Sequence, residues 1–121
     1  MTVNQGLVRL CRLWKKRLWM KDWTIDVQIA PPTNELLVNV KDEESAWGGA
    51  FWYPEAQTAE IRISTKCPLE DREETLIHEL LHVLVSGHKP PRAANVHEER
   101  AINSLAQALV TGYKRRKRKN A

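Results

Sequence analysis

Cysteine is scarce in this chain. Cys11 and Cys67 are its only two, neither sits in a CxxC pair, and no disulfide framework can be built from them. Cys67, just before Pro68, could approach a metal as a blocking thiolate, but it reads as a reduced turn residue. Long apolar runs are missing as well. Nothing approaches the roughly 20 residues that cross a bilayer, which argues against a membrane protein. Met1 to Gly6 has neither the apolar core nor the cleavage site of a signal peptide. The expectation is therefore a soluble, cytoplasmic protein. No repeat and no linker divides the 121 residues, enough for one domain with a modest core. Of that length 42% is hydrophobic, and five Trp outnumber two Tyr and one Phe, so a packed interior is expected.

Charge is present in quantity but unevenly placed. Residues 1–22 hold six basic side chains against Asp22 alone, and Lys114 to Lys119 are six basic residues in a row. The stretch between holds seven basic residues and fourteen acids. Basic ends thus flank an acidic body. A run of like charge usually stays solvated and disordered, and residues 114–121 are read as such a tail. The same termini could contact nucleic acid through its phosphates. No aromatic interleaves with the charges of the tail as it does in single-strand binders.

Hydrophobic periodicity divides the remainder. Val3 to Met20 predicts an amphipathic helix through Val3, Leu7, Leu10, Trp14 and Leu18. Trp23 to Ile29 alternates with period two and predicts a strand that ends at Pro31-Pro32. Leu36 to Val40 predicts a second strand. Ala46 to Tyr53 and Ala59 to Ser64 predict a hairpin turning at Pro54 to Thr58, with Ile61 and Ile63 on its buried face. Trp47 and Trp52 are five apart and face opposite sides of a regular strand. One could line a cleft, but packing roles are expected for both. Pro68 to Glu74 begins a helix whose acids at 70, 71, 73 and 74 suit its positive end, with Gly87 as its stop. Asn95 to Tyr113 predicts a last helix with an apolar stripe of Ile102, Leu105, Ala106, Leu109 and Val110. The fold class expected is α+β: an N-terminal helix, a small mixed twisted sheet, a central helix and a backing helix in one domain, 1–113.

The central helix carries the chemistry. His78-Glu79-Leu80-Leu81-His82 is an HExxH pattern within the helical run Thr75 to Val85. Residues four apart share a helix face, so both imidazoles can point at one metal ion, with Glu79 beside them to hold a water. That is the residue set of a hydrolytic zinc site. The alternative is a buried amphipathic helix with two incidental histidines.

A catalytic zinc site takes three protein ligands, and four residues could supply the third: His88, His97, Glu98 and Glu99. His88 lies where HExxHxxGxxH places its last histidine, but Val85 stands in place of the turning glycine and no methionine follows the motif. His97 suits a helix start or a cleft wall better. Glu99 has Asn103 four residues on, which could brace His78, whereas Glu98 has Ile102 there. Glu98 reads as a charge favourable to the helix dipole.

Thr75 to Leu84 and Glu98 to Leu109 together resemble compact gluzincin-type metallopeptidases. The second segment is similar to the glutamate-bearing helix of ImmA/IrrE-type peptidases. The short length looks closer to minigluzincins and the small zincin-like proteins of phages. The resemblance implies a zincin-like metallopeptidase domain in which His78, His82 and Glu99 bind Zn²⁺ and Glu79 is the general base. It implies hydrolysis of a protein or peptide substrate, extended along the edge strand Ala46 to Phe51, by zinc-activated water. A regulatory protein such as a repressor is the target class it suggests. Tyr53, His97 and Tyr113 are the candidates for steadying the oxyanion. The competing reading is a nucleic-acid-associated zinc-binding module with weak or no catalysis, in which the basic termini make the contacts.

Overall fold

The computed structural model describes residues 2–38, 46–92 and 94–119. Helix α1, Val3–Arg17, starts where Thr2 and Gln5 satisfy each other: the Thr2 hydroxyl accepts the Gln5 N–H (3.1 Å), and the Thr2 N–H donates to Gln5 Oε1 (2.8 Å). This reciprocal cap fixes the first turn. Leu7, Cys11 and Trp14 recur on one side of the helix and are buried. The helix ends at Arg17, three residues short of the end predicted from periodicity.

Three strands follow: β1 (Thr24–Ala30), β2 (Gly48–Tyr53) and β3 (Thr58–Ser64). They form a mixed sheet in the order β1-β3-β2. β3 lies in the centre, parallel to β1 with Val27 beside Ile61, and antiparallel to β2 with Ala50 beside Ile61. Ala59, Ile61 and Ile63 turn their side chains into the core. β2 is a sheet edge, as the hairpin reading expects of Ala46 to Phe51.

The strand expected at Leu36 to Val40 is not formed over its described part. Leu36 and Leu37 lie in turns, Val38 has no regular structure, and residues 39 and 40 fall outside the described residues. Asn34 is the cause: its side chain accepts the Leu36 N–H, and its carbonyl accepts those of Leu37 and Val38. A short polar side chain that captures the backbone two residues on favours a turn over a ladder. Leu37 is then fully buried, and the Leu36 backbone crosses so close to Gly49 that no Cβ would fit there.

A 3₁₀ turn, Leu69–Asp71, leads into α2 (Arg72–Ser86). Leu76, Ile77, Leu80, Leu81 and Val83 are all buried, so α2 is the central helix of the core. Helix α3 (Val96–Lys119) backs it through Ile102, Ala106 and Val110, spaced by four, while Leu105 is half exposed rather than part of the stripe. The backbone of α3 stays helical to Lys119, past the expected end at Tyr113 and into the basic run. Trp14 joins all three helices: it donates from Nε1 to Glu73 Oε2 of α2 (2.8 Å) and packs edge-on against Tyr113 of α3. The result is a small α+β fold of three helices and a three-stranded mixed sheet. No helix among the described residues is long and apolar enough to cross a membrane.

Candidate metal centre

α2 presents His78 and His82 one turn apart, and the first turn of α3 faces them. Asn95 starts that turn, its side chain accepting the Glu98 N–H (2.8 Å). The cap sets the helical phase that directs Glu98 and Glu99 at α2. Glu99 straddles the two rings: Oε1 lies 2.8 Å from His82 Nε2, and Oε2 lies 3.2 Å from His78 Nε2. The two Nε2 atoms are 3.1 Å apart. Ligands around a tetrahedral zinc with bonds near 2 Å would stand about 3.3 Å from each other, close to this spacing.

The donor chemistry also fits a cation. Glu98 Oε2 lies 3.5 Å from His82 Nδ1, so with a cation on Nε2 the ring proton would sit on Nδ1, facing a carboxylate. Nε2 of His82 faces a carboxylate oxygen and a second imidazole nitrogen. Such a set is at rest only with a proton or a cation between its members. His78, His82 and Glu99 could therefore hold a metal ion. The His78 ring also hydrogen-bonds the Asn103 side chain, the brace that the spacing Glu99-x-x-x-Asn103 suggests. Burial, followed by the neighbouring His82, lowers the His78 pKa, while Glu99 and Asn103 partly oppose the shift.

Glu98 has a different place from the one expected. Besides facing His82, its Oε1 accepts the Ser86 hydroxyl (2.8 Å), so it is tied to the last turn of α2. The dipole reading of Glu98 is thus incomplete: the carboxylate also orients a histidine, in the manner of the carboxylates that set ring orientation at metal sites. The signal lay in Ser86, one turn past His82, but pairing it with Glu98 requires the α2–α3 packing.

Glu79 is buried beside the histidines. Burial, with a smaller push from Glu99, lifts its carboxyl to about 8. The first residue of β2 lies directly against it. A Cβ on Gly48 would stand 2.7 Å from Thr75 Cγ2 and 3.1 Å from Glu79 Oε2, so only glycine lets the edge strand come this close. His78 and Glu79 line one cleft of about 480 Å³, together with Trp47, Gly48, Thr75 and Asn103. Trp47 is half exposed in this cleft, against its expected packing role, whereas Trp52 is buried and donates from Nε1 to the Lys89 carbonyl.

Several candidates lie elsewhere. His88 lines separate grooves with Trp23, Pro54 and Pro90 and does not join the histidine–glutamate group. His97 is exposed in the first turn of α3. Tyr53 packs against Phe51, and Tyr113 against Trp14 and under Arg17. None of His97, Tyr53 and Tyr113 lines the cleft, where the amides of Asn103 and Gln107 are found instead. Cys67 is buried, within 3.5 Å of the Thr75 hydroxyl, and burial raises its pKa. It is not among the residues of the metal group. Comparison of the chain with protein-family models, curated proteins and solved structures found no match.

Proposed function

We propose that this protein is a zinc-dependent endopeptidase of the gluzincin type, built on a small zincin-like domain. The observation that supports this best is the conjunction of three donors around one point, His78, His82 and Glu99, with a separate buried carboxylate, Glu79, between the histidines in sequence. Two imidazoles and a carboxylate alone would also suit a non-haem iron centre. A glutamate free of that set, lining one cleft with His78, favours hydrolysis. Bound there, zinc would supply Lewis-acid polarisation of a carbonyl and acidify a water at its open position.

The protein's own residues account for the rest. Glu79 takes the water's proton and returns it to the leaving amine. Its burial in the protein makes it a stronger base than an exposed glutamate, and Gly48 leaves it room. Glu98 and Asn103 hold the two imidazoles in one orientation. A substrate peptide lies extended along the edge of β2, recognised through backbone hydrogen bonds, with Trp47 as a contact for a side chain. Glu79→Gln tests this reading. It should keep the metal and lose cleavage of a denatured protein substrate or a peptide library. Cleavage at the wild-type rate by that variant would remove Glu79 from the mechanism.

A further inference from the structure

The turn after α1 contains a residue that the fold does not call for. Trp19 is 91% exposed, and its backbone is left-handed, with φ at 60°. It occupies the position that ends a helix in a Schellman turn: the Trp19 N–H donates to the Lys16 carbonyl, and the Met20 N–H to that of Lys15. Glycine is the usual residue there because a side chain costs energy in that conformation. Met20, buried at 1%, supplies the apolar anchor of the turn. Trp19 therefore neither packs nor eases the turn, and an outlier of this kind points to function rather than folding.

Its surroundings indicate what it would meet. α1 has no acidic residue, and α3 has none after Glu99. Arg9, Arg12 and Lys16 recur at three- and four-residue steps on α1, all exposed, and lead to Trp19; Lys21 follows, also exposed. Asp22 is the one acid in this segment. The C-terminal turn of α1 is held against α3 where that helix becomes basic. The Arg17 guanidinium lies 3.9 Å from the Tyr113 ring centre and 4.7 Å from that of Trp14, and Lys114 is the next residue. The Arg17–Tyr113 contact thus brings Lys114 of α3 to the end of α1 that carries Trp19 two residues on. An interfacial membrane helix would need a broad apolar face, but the apolar side of α1, with Leu7, Cys11 and Trp14, is spent on the core.

We infer that this end of the molecule binds single-stranded nucleic acid. Trp19 stacks on a base, while Arg12, Lys16, Lys21 and Lys114 contact phosphates. Base–aromatic stacking combined with a basic track is the general means of holding unpaired strands. This surface does not depend on the metal centre, so either reading can fail without the other.

The test is fluorescence anisotropy with labelled oligothymidylate and oligouridylate of about 20 nucleotides, longer than a single-strand footprint. It uses the full chain, the duplex of the same length and vesicles rich in phosphatidylserine for comparison. Expected are salt-dependent binding of a single strand, a loss of at least about fivefold in Trp19→Ala, and near wild-type affinity in Trp19→Phe. Arg12→Glu with Lys16→Glu should weaken binding further and flatten the salt slope. Wild-type affinity in Trp19→Ala, tighter binding of the duplex, or binding to the vesicles alone would each overturn the inference.

Discussion

Glu98 Oε2 stands 3.5 Å from His82 Nδ1, on the side of the ring away from Glu99, and the two carboxylates grip one imidazole from both ends. This divides the labour between adjacent residues: Glu99 belongs to the donor set, and Glu98 orients it. Glu98→Ala should leave the donor set in place and lower metal affinity by about 10- to 100-fold. Ser86→Ala, which loses only the hydroxyl bond to Glu98, should cost less. Competition with a chromophoric chelator would measure both. An unchanged affinity in Glu98→Ala would reduce its role to that of a helix-terminal charge.

Gly48→Ala should separate activity from metal binding. The atoms nearest the added methyl belong to Thr75 and Glu79, not to the three donors. The expected result is a full metal complement with a catalytic efficiency lowered by about tenfold or more, since a small misplacement of a reacting group is costly. Hydrolysis kinetics and metal content on the same sample would show it.

The metal-free protein should lose stability as pH rises. An unfolded glutamate has its ordinary pKa of 4.5, whereas Glu79 in the fold holds its proton to about 8. Between these values the folded state binds the extra proton, so its stabilising effect is complete below 4.5 and disappears by about 8. His78 acts in the opposite sense: its lowered pKa removes stability as pH falls below 6.5. Glu79→Gln isolates the first effect. Its melting temperature without metal should rise relative to wild type as pH goes from 5 to 8. A constant difference across that range would contradict the assignment.

Trp14 should be the most sensitive core position. It is 1% exposed, donates to Glu73 and packs edge-on with Tyr113, so it touches three helices. Trp14→Ala should cost about 3–5 kcal/mol, enough to unfold most of a domain this small. Trp14→Phe should cost less, while leaving Glu73 without its donor. Urea denaturation would rank the two.

Much of the architecture could be read from local pattern. Leu7 and Trp14 on one helix face, and Ile61 and Ile63 on one strand face, follow from periods of 3.6 and 2. The four-residue spacing of His78 and His82 brings their rings together for the same reason. What escaped depends on tertiary contact or on a single polar atom. Asn34 folds Leu36 and Leu37 into a turn although their apolar run suits a strand. Gly87 does end α2, yet its φ of −63° shows that space, not a left-handed backbone, is the reason: a Cβ there would collide with the Val83 carbonyl and the Trp23 ring. Glu98 and Glu99 are neighbours in sequence, and their separate roles arise only when α3 packs against α2. Tyr53 and Tyr113 are suitable in chemistry for an oxyanion but are directed elsewhere by Phe51 and Arg17.

The central claim is that His78, His82 and Glu99 form one zinc site. Elemental mass spectrometry of the purified wild type beside Glu99→Ala, Glu98→Ala and His88→Ala tests it most directly. About one zinc per wild-type chain is expected, lost in Glu99→Ala, retained in His88→Ala, and retained in Glu98→Ala except under chelator. Zinc retained in full by Glu99→Ala, or absent from the wild type even after reconstitution, would contradict it.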